Sequence, residues 1–436
     1  MRQRIVRLAL VGGVVVLALV LLLATCGGGG SRDGDRPPRP AGKSTSGPAT
    51  ELNVPPEYAG GRGWEVVAAG PGYALSHPTG RLAYLVKAPG DRYRLRTLDA
   101  ETGRAGWSGE AWRPQDPRRL PGLLTVVKDD QEFFVTWSFG KAGDGLTPSE
   151  TFVSLDVYDV TDGDRRRVEV PWSGVPSVTA TGPDVLISDS RANSVLVDPV
   201  GGEVSRIPAS SVGFPKGCKA CRQLTEVRGQ TPKGLLLSGV REFWVRGGWF
   251  SRNAAPKGAD PASGVPTSVA PGLVLAKWRP AKGTERAGTH QLWAVHDAAT
   301  GRPVVSVECH TPAMEPGTYP QAVLAPAGRY LVAGNLAFDL EERKGFCFEE
   351  EDGSAQLTLA SVTDGGSAYG STNARDADEA LRGEGGGPVV MSFTAWDVEA
   401  LDPNTRLPEA EISGTGVFRW TDRKDRPHLL GRPRVG

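Results

Sequence analysis

A short motif recurs along this chain, and it constrains the fold more than any other feature. In YRLRTLDAETGRAGW an alternating segment ends at Asp99, a turn runs through Thr102 and Gly103, and the chain comes back to Trp107. An aspartate that opens such a turn accepts hydrogen bonds from backbone amides two residues on. The glycine supplies a positive φ that a residue with a Cβ adopts reluctantly. One copy would describe any hairpin, but the pattern returns at Asp159 with Gly163, at Asp198 with Gly201 and Gly202, and at Asp297 with Thr300 and Gly301. Asp339 and Asp402 come next, without the glycine.

Successive aspartates are 60, 39, 99, 42 and 63 residues apart. The gap of 99 holds two units, and the absent turn fits REFWVRGGWF around Gly247 and Gly248. That makes seven units of about 54 residues over 57–436, close to the size of a four-stranded propeller blade with generous loops. The first stretch, GWEVVAAG, and the last, GTGVFRWTDRKD, complete a shared blade and leave no open sheet edge. The expectation is an all-β, seven-bladed β-propeller, with six or eight blades as alternatives. The 57 Gly and 35 Pro agree with many turns and few long helices.

Ahead of the repeats, MRQRIVR places Arg2, Arg4 and Arg7 before an uncharged apolar run from Leu8 to Thr25. Eighteen such residues nearly cross a hydrocarbon core, and the arginines hold their side in the cytoplasm, so the chain beyond residue 26 is exported. Three fates fit residues 1–26: a retained anchor, a lipoprotein signal ending at Cys26, and a cleaved secretory signal. Leu23-Ala24-Thr25-Cys26 resembles a lipobox, with Thr25 departing from the usual small residue before the cysteine. Residues 27–56 hold almost no large apolar side chains and read as a flexible tether. The chain therefore divides into a signal or anchor (1–26), a tether (27–56) and a propeller (57–436) held outside the cytoplasmic membrane.

LDAETGRAGW and HDAATGRPV resemble the repeat of the PQQ-like, or quinoprotein-like, propellers, where an aspartate–Thr-Gly turn is followed by a tryptophan that docks between blades. The resemblance covers most of residues 64–413, and Trp107 is the one tryptophan read at the docking position. The chain is similar as well to uncharacterised exported bacterial propellers. The resemblance implies the fold, and it raises the activity of quinone-dependent dehydrogenases, which hold the quinone over a calcium ion. The chain departs from those enzymes in having no adjacent cysteine pair and no recognisable calcium-binding set, so no cofactor, metal or catalytic residue is assigned.

Four cysteines lie beyond Cys26: Cys218, Cys221, Cys309 and Cys347. An even number in an exported chain reads first as disulfides, here Cys218–Cys221 and Cys309–Cys347. A redox C-x-x-C, or a zinc site completed by Cys309 and His310, are the alternatives. His296 lies within a strand and reads as a blade histidine. The acidic segment 365–388 reads as a loop, and Arg165-Arg166-Arg167 as a solvated hairpin edge. The aromatic cluster FWVRGGWF, with Trp244 and Trp249, reads chiefly as inter-blade packing and is also the best candidate ligand surface. With 50 basic and 50 acidic residues there is no basic excess for nucleic acid. The functional expectation is a tethered extracytoplasmic propeller that binds an envelope protein or surface polymer without catalysis. The alternative is a propeller enzyme working at the central channel.

Overall fold

The computed structural model describes residues 50–435, apart from 143–149, 314, 316, 351 and 383. The apolar run, Cys26 and the tether up to residue 49 lie outside the described residues. Among those described, no helix is long and apolar enough to cross a membrane.

Eight antiparallel sheets make an eight-bladed β-propeller. Blade 1 comprises Tyr73–Ser76, Arg81–Ala88, Arg92–Asp99 and Ala105–Ser108. Blades 2 and 3 span Gly122–Pro171 and Ser177–Ile207 with four strands each. Blade 4 has three, Glu226–Thr231, Gly234–Ser238 and Phe243–Val245, its fourth being reduced to a single bridge between Trp244 and Phe250. Blades 5, 6 and 7 span Val265–His310, Val323–Cys347 and Leu357–Ala400. Blade 8 takes Ala410–Ile412, Thr415–Thr421 and Pro427–Pro433, and its outermost strand is Trp64–Val67, paired from Trp64 opposite Gly431 to Val67 opposite His428.

The apolar cores show that the ring is closed. Each of the eight seams between neighbouring blades holds one hydrophobic cluster, including the seam where blade 8 meets blade 1. In blade 1, Leu82 and Tyr84 face the seam with blade 8, whereas Ala83 and Leu85 face the seam with blade 2. A sheet buried on both faces needs apolar residues at odd and even positions alike, and so RLAYLV reads as a continuous run.

The blade count exceeds the expected seven by one, for a simple reason. The recurring turn joins the third and fourth strands of a blade, and blade 8 has no such turn because its fourth strand comes from the other end of the chain. Seven turns therefore mark eight blades. Asp99, Asp159, Asp198, Asp297 and Asp339 sit at these turns, and Val245 with Gly247 serves blade 4 as read. Asp402 does not belong to the set. The turn of blade 7 opens at Ser392, whose carbonyl accepts from Trp396 N at 2.7 Å, and Asp402 lies in the connection to blade 8.

The turns share one geometry. Asp99 Oδ1 accepts from Thr102 N at 2.8 Å and from Thr102 Oγ1 at 2.6 Å, and Asp297 repeats this with Thr300 at 2.7 Å for both. Four residues after the opening residue, the backbone is left-handed. Gly103, Gly163, Gly202 and Gly301 occupy that position in four blades, while Arg343 (φ +55°) and Trp396 (φ +58°) occupy it in blades 6 and 7.

The glycines are also where the tryptophans dock. Trp107 Nε1 donates to Val160 O at 2.8 Å, and a Cβ on Gly163 would meet Trp107 Cδ2 at 2.7 Å. Two further copies exist, one of them at Trp249 in the cluster read as inter-blade packing. Trp64 donates to Ala100 O at 2.6 Å over Gly103, and Trp249 to Ala298 O at 2.9 Å over Gly301. In each case an outer strand lays its indole across the turn of the next blade. Between blades 2 and 3 the aliphatic stem of Arg166 takes this place over Gly202. Arg165 and Arg167 both reach the buried carboxylate of Asp156, so the arginine run joins strands instead of only facing solvent.

Two other segments differ from expectation. Residues 50–56 pack on the propeller instead of continuing the tether: Leu52 joins Tyr58 in the cluster between blades 7 and 8, and Arg406 N donates to Asn53 O at 2.8 Å. Segment 365–388 contributes the buried strand Ser367–Thr372 and a helix, Ala377–Arg382. Its small residues read as loop, but Gly370 lies where a Cβ would meet Thr358 O at 2.1 Å, so the composition serves close strand packing.

The docking geometry has a measurable consequence. A Cβ on Gly103 would stand 2.3 Å from Trp64 Cβ, so Gly103→Ala combines overpacking with a left-handed backbone and should cost about 3 kcal/mol in denaturant unfolding. Arg343→Gly, relieving the same backbone conformation, should be neutral or stabilising by up to about 1 kcal/mol. Equal effects from the two substitutions would refute this account of the turn.

Candidate functional site

In a four-stranded meander the turns between strands 1 and 2 and strands 3 and 4 fall at one end of the blade. The remaining turns, and the connections between blades, fall at the other. The aspartate turns thus occupy one end of the propeller, and the opposite end carries the longest connections. There a cleft of about 480 Å³ opens across blades 5, 6 and 7. Its apolar walls include Leu275 and Trp293 from blade 5, Ala333 and Leu336 from blade 6, and Pro320 from the connection between them.

The polar groups around these walls are largely paired. Trp293 is buried and meets Tyr319 edge-on, with centroids 5.8 Å apart. Lys277 Nζ lies 2.6 Å from both Tyr319 Oη and Glu315 Oε2, and 4.9 Å from the Tyr319 ring centroid. Burial pushes the Glu315 carboxyl up, but hydrogen bonds from Lys277 and Tyr319 outweigh it and hold the group below its ordinary range. Burial dominates at Tyr319, raising its phenol. Farther along, Glu349 accepts from His310 N at 2.9 and 3.0 Å, and its Oε1 lies 2.8 Å from His310 Nδ1. The His290 ring packs on His310 at 4.3 Å.

Behind His310 and Glu349 lies the Cys309–Cys347 disulfide, which joins the outer strands of blades 5 and 6. Asn335 Nδ2 donates to Cys347 Sγ at 3.4 Å from the cleft wall. The other disulfide, Cys218–Cys221, is buried in the seam of blades 3 and 4. Both pairings agree with the sequence reading. They leave the four sulfurs in two separate pairs and do not assemble the zinc quartet weighed as an alternative. Each pair has a carboxylate beside it, Glu242 and Glu349 respectively, but sulfurs joined to each other are not thiolate ligands.

The two tryptophans named as a possible ligand surface have structural partners. Trp244 is buried against Phe214 and donates to Gly213 O at 3.1 Å; Trp249 docks on blade 5. They face different seams, although both border a groove along the shortened edge of blade 4. That edge is capped: Val245 N donates to Trp249 O at 2.9 Å and Phe243 N to Ser251 Oγ at 3.1 Å. Asp99, Thr102, Gly103, Trp107, Asp159, Asp198, Asp297, Thr300 and Gly301 all lie at the turn end, away from the cleft.

His296 sits in the wall of the seam between blades 4 and 5. Its Nδ1 is 3.0 Å from Gly301 O, and its ring is surrounded by Trp249, Trp278 and Phe243. Burial without a counter-charge pushes its pKa down to about 4.

Sequence reasoning missed the cleft because its walls come from three blades. One signal was available, the twelve-residue connection TPAMEPGTYPQA between blades 5 and 6, since long connections in compact domains often carry function.

No family model matches this chain, and no curated protein does. Among solved structures it is similar to the β-propeller domain of Myceliophteria thermophila Cps50 (Swd1), at 12% identity and a TM-score of 0.36, covering 84% of this chain and 95% of that one. It is similar also to a complex of KlAtg21 with the coiled coil of AgAtg16, at 9% identity and a TM-score of 0.33, covering 82% and 90%. Neither likeness is strong enough to bear on function.

The geometry of these sites predicts two outcomes. Replacing Cys309 and Cys347 together by Ala opens a loop closed over a sequence separation of 38, which should cost about 4 kcal/mol on unfolding, against about 1.5 kcal/mol for the Cys218/Cys221 pair with its separation of 3. The reverse order would contradict the loop-closure account. His296 is neutral when folded and protonates near its ordinary pKa when unfolded. Stability it supports is therefore complete above about pH 6.5 and is lost as pH falls toward 4, by roughly 3 kcal/mol. Denaturant titrations over that range should slope downward for the parent chain and flatten for His296→Leu.

Proposed function

We propose that this protein is a membrane-tethered extracytoplasmic propeller that binds an envelope partner without catalysis, and that it does so through the cleft of blades 5–7. The observation that carries this reading is the state of the cleft's charged groups. Glu315, Lys277 and Tyr319 satisfy one another, as do Glu349 and His310, which suits a fixed recognition surface better than an activated base. The two disulfides support an oxidising compartment, in agreement with the arginine-flanked apolar run at residues 1–26.

Kinship with the PQQ-like propellers is part of the same proposal. It is supported by the aspartate–Thr-Gly turns and by three tryptophans docked on the neighbouring blade. The enzyme alternative keeps the central channel as its site.

Intact mass of the chain purified from its membrane, without reductant, should show four oxidised cysteines and distinguish a retained anchor from a lipidated Cys26. Protease added outside intact spheroplasts should remove the propeller. A propeller protected inside the cell would overturn the tethering and orientation, and a stoichiometric calcium ion or quinone would overturn the non-catalytic reading.

A further inference from the structure

This inference rests on reading the cleft as a binding site and concerns what occupies it. Its deep wall carries Gln291, which is only 8% exposed and whose side-chain amide has no hydrogen-bond partner among the described residues. The amide's own atoms reach the open space of the cleft, so both its donor and its acceptor are free for a ligand that both donates and accepts. Around it the surface is apolar, formed by Leu275, Trp293, Leu336 and Pro320.

The rim is acidic. A tight turn after blade 6, closed by Gly353 N donating to Glu350 O at 2.9 Å, carries Glu349, Glu350 and Asp352. Asp352 accepts from Ser354 N in its own turn, at 2.9 Å, and has no cationic partner among the described residues. The cation that lines the cleft, Arg375, already pairs with Glu379 at 3.1 Å. Lys277 shows how this wall treats an ammonium group, holding it between a carboxylate and the Tyr319 hydroxyl.

We infer that the cleft binds an extended peptide segment of the partner that presents a lysine or arginine next to an apolar residue. The apolar side chain covers the floor, a backbone peptide group satisfies the Gln291 amide, and the basic head reaches Asp352 at the rim. The amide selects a peptide over a small diamine, because a diammonium ligand donates hydrogen bonds but has nothing to accept with. The rim charge selects a basic peptide over an acidic one.

The test uses the full chain in detergent and the labelled tetrapeptide acetyl-Ala-Leu-Lys-Ala amide, read by fluorescence anisotropy. The same peptide with Glu in place of Lys, and cadaverine as competitor, are the controls. Saturable binding at least tenfold tighter than that of the glutamate peptide is expected. It should weaken about fivefold to tenfold in Gln291→Leu and in Asp352→Asn, the latter an exposed position that leaves folding intact. Equal binding of the glutamate peptide, competition by cadaverine at matched concentration, or indifference to both substitutions would overturn the inference. Absence of any tetrapeptide binding would overturn it too. If photo-crosslinkers placed on the cleft rim still captured an envelope partner in cells, the broader binding reading would stand while the ligand class fell.

Discussion

The structure depends on one indole. Trp64 belongs to the strand that completes blade 8, opposite Gly431, and its ring lies across Gly103 while its Nε1 donates to Ala100 on blade 1. It therefore makes the last sheet four-stranded and joins that sheet to the first. Trp107 and Trp249 join neighbouring blades in the same way, but from the fourth-strand position of a blade contiguous in the chain. In a ring every blade has two neighbours, so a failure at the closing seam exposes two apolar faces at once and leaves a linear array with two bare ends.

Much of this plan was legible in the chain. The aspartate turns could be read because their chemistry is local: an acceptor, two amides and a residue free to take a positive φ all lie within five positions. What the residues could not disclose was non-local. Trp64 stands in a segment with no turn of its own, and its partner glycine is in the next blade, so nothing in its neighbourhood marks it as docked. Blade 7 escaped because Ser392 and Trp396 perform with different residues what Asp and Gly perform elsewhere. Asp402 drew the assignment instead, being an aspartate at a plausible distance. The disulfides were readable from the even number of cysteines. The cleft was not, since Gln291, Leu336 and Thr358 converge only when three blades are placed side by side.

The two ends of the propeller divide the work. At the turn end, short hairpins with glycine hubs and flat aromatic rings repeat with little variation, and the residues are fully used in holding neighbours together. At the other end, connections differ in length from blade to blade, and a proline-rich segment, an acidic turn and the loop at Ala374 and Arg375 surround the cleft. The Cys309–Cys347 bridge lies between these roles: it ties two outer strands, and one residue from each half-cystine's neighbourhood, His310 and Glu349, meets in the cleft wall.

Closure by the strand Trp64–Val67 also orders events in time. The contact between Glu65 and His428 spans 363 residues, and it cannot form until nearly the whole chain is available. A chain that emerges amino end first, as in synthesis, must therefore wait with its opening strand unpaired while seven blades assemble behind it. Such long-range pairing is slow. Any pause before residue 433 leaves an open ring with a ready sheet edge, the state in which a holding chaperone would be most needed.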